Sequence, residues 1–206
     1  MGRYSIAEAE KVHVGGGGTD FFSIPDDGMI KKGRIMFNGV EDVGMDLVHM
    51  VEVNGKERMV SCLCAPGDSA DSCPFCKARI KRTLKLHIPI YDMESKSVKI
   101  WQRGKQFAST LSAAMNRAGT PVCGNVFEIE RHGKKGDAGT TYNLWPGQND
   151  GTKLSDLPEV PDLYGSLIMD KSFDEMEQFV KTGSFDKVEE SSYADVPTDR
   201  LRRGIY

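Results

Sequence analysis

The chain has 206 residues, 39% of them hydrophobic, and a net charge of −3, which suits one domain with a sizeable core plus appendages and is short for two independent enzymatic domains. No apolar run approaches the roughly 20 residues needed to cross a bilayer, and MGRYSIAEAE lacks the apolar stretch of a secretory signal. The expectation is therefore no membrane and a cytoplasmic location, the host cytoplasm if the protein is phage-encoded.

The first 20 residues are polar and include GGGG at 15–18, which predicts a flexible N-terminal arm over 1–20. FFSIPDDG (21–28) and GRIMFNG (33–39) read as short strands. In DLVHMVEVNGKERMVSCL two alternating runs flank Asn54-Gly55, a dipeptide that readily supplies positive φ at both turn positions, so a hairpin with strands near 46–53 and 56–63 is predicted. KARIKRTLK (77–85) reads as a short helix with Ile80 and Leu84 on one face. LHIPIY (86–91) and SVKIWQR (97–103) are strand-like, and KQFASTLSAAMNRAG is an amphipathic helix stopped at Gly119. NVFEIER and TTYNLW flank the glycine-rich GKKGDAG and form a second hairpin. Ser172 and Glu175 make a capping box that opens a helix ending by Gly183. The total is six or seven short strands and two or three helices, a mainly β, α+β protein, with a core over 21–165 and an acidic C-terminal helix and tail over 166–206.

The net charge conceals a polarity along the chain. Residues 1–149 hold 20 basic against 17 acidic groups and residues 150–206 hold 7 against 13, while Lys77 to Lys105 alone hold 9 against 2. That local excess suits phosphate.

Four of the five cysteines fall between 62 and 76, which in a chain of this length points to metal ligation in a reducing compartment and away from a disulfide framework. Cys73-Pro74-Phe75-Cys76 is a knuckle of the kind that structural zinc sites pair with two ligands from another element. If Asn54-Gly55 turns the hairpin, Val53 faces Lys56 and His49 faces Val60, which puts Cys62 diagonally across on the face of His49, roughly 7 to 8 Å away. His49, Cys62, Cys73 and Cys76 are thus the expected ligands of one structural Zn2+. Cys64 is the alternative to Cys62, and Cys123 reads as a buried small hydrophobe. Four protein ligands leave no position for substrate, so the zinc is structural.

These residues resemble the single-stranded DNA-binding, helix-destabilising proteins of T-even bacteriophages, whose zinc ligands are a histidine, a cysteine after twelve intervening residues, and later a CxxC with proline second. Here His49 is followed by twelve residues, Cys62, ten more, and Cys73-Pro74-Phe75-Cys76. The resemblance is sharp over 49–76 and loose over 20–180. It implies an OB-fold-like five-stranded barrel carrying an inserted zinc-binding subdomain at about 46–86, with a DNA groove between them, and a role in phage DNA replication, recombination and repair. It also implies that the acidic C-terminal region recruits replication and recombination proteins. MGRYSIAEAEKV has no cluster like the family's basic, self-associating N-terminal segment, and the tail ends with Arg200, Arg202 and Arg203.

Binding single strands without sequence preference needs cations for phosphates and aromatic faces for bases. Alternation along SVKIWQRGK puts Lys99, Trp101 and Arg103 on one face, predicted to face solvent with Trp101 as the stacking platform; packing of Trp101 beneath the basic side chains is the competing reading. Tyr91 and Lys105 extend the surface. Arg79, Lys81 and Arg82 follow the knuckle, and Arg131, Lys134, Lys135, Tyr142 and Trp145 form a weaker set in the second hairpin. Phe37, Phe107 and Phe127 are assigned to the core. The rival functions are a zinc-ribbon adaptor that binds protein without touching DNA, and a thiol oxidoreductase using Cys73 and Cys76. The basic strand around Trp101 counts against the first, and the extra ligands His49 and Cys62 against the second. No P-loop, Ser-His-Asp order or carboxylate cluster suggests an enzyme.

Overall fold

The computed structural model describes residues 19–134 and 136–185. The GGGG arm, Lys135 and the tail beyond 185 lie outside the described residues.

Asn54 and Gly55 turn the first hairpin with φ of 52° and 72°, the mirror-image turn whose twist matches that of its strands. It joins β2 (Asp46–Val53) to β3 (Lys56–Ser61), with His49 opposite Val60 as the turn arithmetic predicts. The other strands are β1 (Ile30–Ile35), β4 (Arg82–Asp92), β5 (Ser97–Gly104), β6 (Asn125–His132), β7 (Thr141–Asn149) and β8 (Ile168–Met169), and the helices are α1 (Pro74–Lys77), α2 (Ala108–Ala118) and α3 (Phe173–Thr182). Helix α3 carries the predicted capping box, Ser172 accepting from the Glu175 amide and Glu175 from that of Ser172, and ends at Gly183 in the left-handed region.

The strands form one eight-stranded sheet in the order β7-β6-β1-β4-β2-β3-β8, with β5 also on β4. The sheet does not close into a barrel, which corrects the expected five-stranded barrel. The reason is the length of β4. Its eleven residues pair with β2 over Arg82–Lys85 and with β1 over Ile90–Asp92, while the other edge takes β5 along almost the whole length. One strand thereby feeds two diverging parts of the sheet.

The predicted helix over 77–85 is also corrected. Helix α1 is a single turn, broken where Arg79 adopts a φ of 59° and the Ile80 amide turns back to the Phe75 carbonyl. Residues 82–85 join β4 instead, because ladder hydrogen bonds to β2 are available to them and helical spacing alone offers no packing partner.

Two principal cores result. The larger gathers Phe22, Ile35, Leu86, Ile88, Trp101 and Phe127 with α2 against the sheet, Phe37 and Phe107 packing at its margin. The smaller gathers Val51, Val60, Cys73, Phe75 and Met176, so α3 closes over the β2–β3 hairpin and α1. A bridging cluster of Val48, Met59 and Ile168 accompanies the parallel β3–β8 pairing.

Candidate metal centre and adjoining cleft

The β2–β3 ladder supplies the first two donors. His49 is central in β2, and Cys62 continues the pairing one step past β3, its amide donating to Leu47 O at 2.8 Å. The other two lie at the start of α1, where Cys73 is the N-cap, Pro74 holds the first helical position and the Lys77 amide donates to Cys73 O.

All four donor atoms lie within 4.8 Å of one another. His49 Nδ1 is 3.0 Å from Ile80 O, a bond in which the nitrogen must donate, and this leaves Nε2 with its lone pair toward the sulfurs. Nε2 is 3.6 Å from Cys73 Sγ and 3.5 Å from Cys76 Sγ, and Cys62 Sγ is 3.5 Å from Cys76 Sγ. A tetrahedron with metal–sulfur bonds of about 2.3 Å and metal–nitrogen bonds of about 2.0 Å has edges of roughly 3.5 to 3.8 Å. These three separations match that size, and the quartet can hold a metal ion.

The electrostatics suit the same purpose. Burial holds the His49 imidazole below its ordinary value and therefore neutral, as a ligand must be. Burial pushes the Cys62 and Cys76 thiols up, so in the absence of a cation they stay protonated. At Cys73 burial acts in the same direction but is outweighed by hydrogen bonds from the Cys76, Leu63 and Phe75 amides, and the thiol is lowered. His49 and Cys73 are fully buried. Phe75 packs edge-on to His49 at 5.4 Å, and Met176 Sδ of α3 lies 3.9 Å from Cys73 Sγ. Cys64 is buried beside the quartet, its thiol directed at Ser69 O and Cys76 Sγ, so Cys62 takes the ligand position.

Two adjoining clefts of about 600 and 650 Å³ share Gly104 and Gln106; the first lies against the β6–β7 hairpin and the start of α2, and the second reaches the metal-bearing region at Leu47 and Cys64. Arg103, Phe107, Arg131 and Tyr142 line one; Met45, Leu84, Arg82 and Lys105 line the other. A third, of about 210 Å³, shares Asp68 and Arg82 with the second and reaches Cys76 and Arg79.

Trp101 is not the solvent-facing platform expected of it. It is 1% exposed, with Phe22, Phe107 and Tyr142 edge-on to it at 5.8, 4.9 and 5.1 Å. Tyr142 is likewise buried. The flat group at the cleft is instead the Arg103 guanidinium, 4.7 Å from the Trp101 ring centre and 4.2 Å from that of Tyr142. Its Nε and the Trp101 Nε1 are buried with no hydrogen-bond partner among the described residues, and burial lowers the Arg103 pKa. Arg131 lines the cleft but spends its donors on the Ile24, Gly133 and Lys134 carbonyls. Lys99 is paired with Asp92 at 2.6 Å, and it and the half-buried Tyr91 stand toward the 93–96 turn, at the far end of the β4–β5 hairpin from Arg103 and Lys105. Lys81, Arg82, Lys105, Lys134 and Trp145 are exposed. Sequence reading missed the apolar cleft residue Met45, which no periodicity singles out, and gave Leu84 a helix face with Ile80 where the structure puts it on β4 at the cleft. Cys123, expected to be a small buried hydrophobe, is buried.

No protein-family model matches the chain, and neither does any curated protein.

Proposed function

We propose that the chain binds single-stranded DNA without sequence specificity along the adjoining clefts, and that a zinc ion on His49, Cys62, Cys73 and Cys76 braces one wall. The observation that carries the reading is the placement of Arg82 and Lys105 with apolar Met45 and Leu84 in one cleft and of Arg103 with Phe107 in the next, the two sharing Gly104 and Gln106. Cations for phosphate beside apolar and π surface for bases are what sequence-independent single-strand binding requires, and a guanidinium plane can stack a base as an aromatic ring does. The role is that of a binding protein, not an enzyme. When bound, zinc supplies a cross-link between the hairpin and the α1 turn; the residues themselves orient the cleft wall, His49 through Ile80 and Arg82 through its place opposite His49 in the β2–β4 ladder. The resemblance over 49–76 supports a setting in phage DNA replication, recombination and repair, with an OB-like relationship in the central strands and with replication and recombination proteins as partners of the acidic C-terminal region.

The test is a salt-dependent fluorescence titration with oligo-dT and with duplex DNA. Tighter binding of the single strand is expected, with log K falling against log salt at a slope of about −2 to −3 for three or four phosphate contacts. Arg103→Ala, which leaves the Trp101 core in place, is expected to weaken binding by about 1 to 3 kcal/mol. Equal affinity for duplex, or binding indifferent to salt, would overturn the reading, and no binding to either would favour a protein-binding adaptor.

A further inference from the structure

The metal centre holds one more thiol than its tetrahedron uses. Cys64 lies two residues beyond Cys62, 6% exposed, with its sulfur 3.6 Å from Cys76 Sγ. Cys76 is the knuckle sulfur with a path to water, since it lines the third cleft together with Arg79, Ile80 and Arg82, and Arg82 Nη1 lies 3.9 Å from it. A sulfur that would become a thiolate on binding a cation, a solvent path, flanking cations and a spare thiol almost in contact therefore coincide at one point.

We infer that Cys64 and Cys76 form a peroxide-responsive pair that turns metal loss into a reversible event. The Cys76 sulfur attacks one oxygen of hydrogen peroxide; the O–O bond breaks, a sulfenic acid forms, and the departing hydroxide becomes water by taking a proton from solvent if the metal had displaced that of Cys76. Arg79 and Arg82 face the negative charge that develops on the leaving oxygen. The Cys64 sulfur then attacks Cys76; the S–S bond forms, the S–O bond breaks, and hydroxide leaves with the Cys64 proton as the second water. Counted from two thiols, the cysteines lose two electrons and one peroxide is reduced to two waters. Cys62 is as close to Cys76, at 3.5 Å, but it is committed to the ion, whereas Cys64 is free while the ion is held. The disulfide would remove Cys76 from the ligand set and leave three donors, His49, Cys62 and Cys73, too few to keep a tetrahedrally bound ion in place. This inference rests on the metal centre and not on nucleic-acid binding.

The experiment uses the full chain after elemental analysis has established its zinc content. Hydrogen peroxide is added, released zinc is followed with a chromophoric chelator, samples are quenched by alkylation, and disulfides are mapped by peptide mass spectrometry. The expected first product is a Cys64–Cys76 disulfide that appears in step with zinc release and is reversed by thiol reductant and added zinc. Cys64→Ser is expected to slow release several-fold and to send Cys76 on to the sulfinic acid. A first disulfide joining Cys62 or Cys73 to Cys76, release with no disulfide, or wild-type release from Cys64→Ser would each overturn the inference. The mapping on the unaltered chain decides it even if the variant does not fold.

Discussion

Trp101 stands between Lys99 and Arg103 on an alternating strand, yet it is buried, because Phe22 and Tyr142 reach it from distant parts of the chain and Phe107 from the turn that follows the strand. Another such long-range contact, Arg34 with Asp150, carries a prediction. Arg34 is buried, donates to the Cys123 carbonyl at 3.1 Å and pairs with Asp150, whose carboxylate also accepts from the Thr152 amide and hydroxyl. These bonds, that of Arg34 first, hold the Asp150 pKa below its ordinary 3.8. A carboxyl with a depressed folded pKa contributes stability that is fully present above the unfolded value and is lost as pH falls through the folded one. Asp150→Asn is therefore expected to melt below the wild type at neutral pH, with the gap closing as pH falls below 3.8. A gap independent of pH in thermal melts would show that Asp150 acts by shape alone.

At the scale of elements, α3 turns an acidic segment into a cover for the metal centre. Its polar side keeps Asp174 and Glu177 at the surface, Glu177 pairing with Lys181, while Met176 and Phe179 face α1, Phe179 packing edge-on to Phe75 at 5.6 Å. The Lys171 and Ser172 hydrogen bonds that hold Glu175 down to about 2 fix the start of the helix. Phe179→Ala is expected to destabilise the fold by roughly 2 to 3 kcal/mol, below the range for a fully buried phenylalanine because the ring is only half-buried. It is also expected to hasten transfer of the metal to a chelator, since water then reaches Cys73 more easily. An unchanged transfer rate in a stopped-flow chelator assay would mean that α3 packs beside the centre without protecting it.

The whole molecule has its principal cores joined through β2 and β4, and the ligands lie in only one of them. Removal of the metal is therefore expected to loosen β3, α1 and α3 and to leave β5, α2, β6 and β7 protected, because the larger core contains no ligand. Hydrogen exchange read by mass spectrometry before and after chelation checks this. Uniform loss of protection would make the metal a condition for the entire fold, and no loss anywhere would deny the quartet a bound ion.

Sequence by itself determined what short-range chemistry dictates. Asn54-Gly55 fixed the turn and hence the register of His49 against Val60; the Ser172–Glu175 box and Gly183 fixed the limits of α3; and the spacing from His49 to Cys76 identified the quartet, since turns, caps and ligand pairs are each specified within a few residues of one another. Tertiary structure alone decided the rest. Period-two alternation tells which side chains share a face but not what covers that face, so Trp101 could be placed beside Arg103 and not inside the core. Helical spacing over 77–85 could not reveal that β2 offers Arg82–Lys85 a ladder. The open sheet and the two clefts that meet at Gly104 and Gln106 arise where segments far apart in sequence come together, and local patterning carries no record of such meetings.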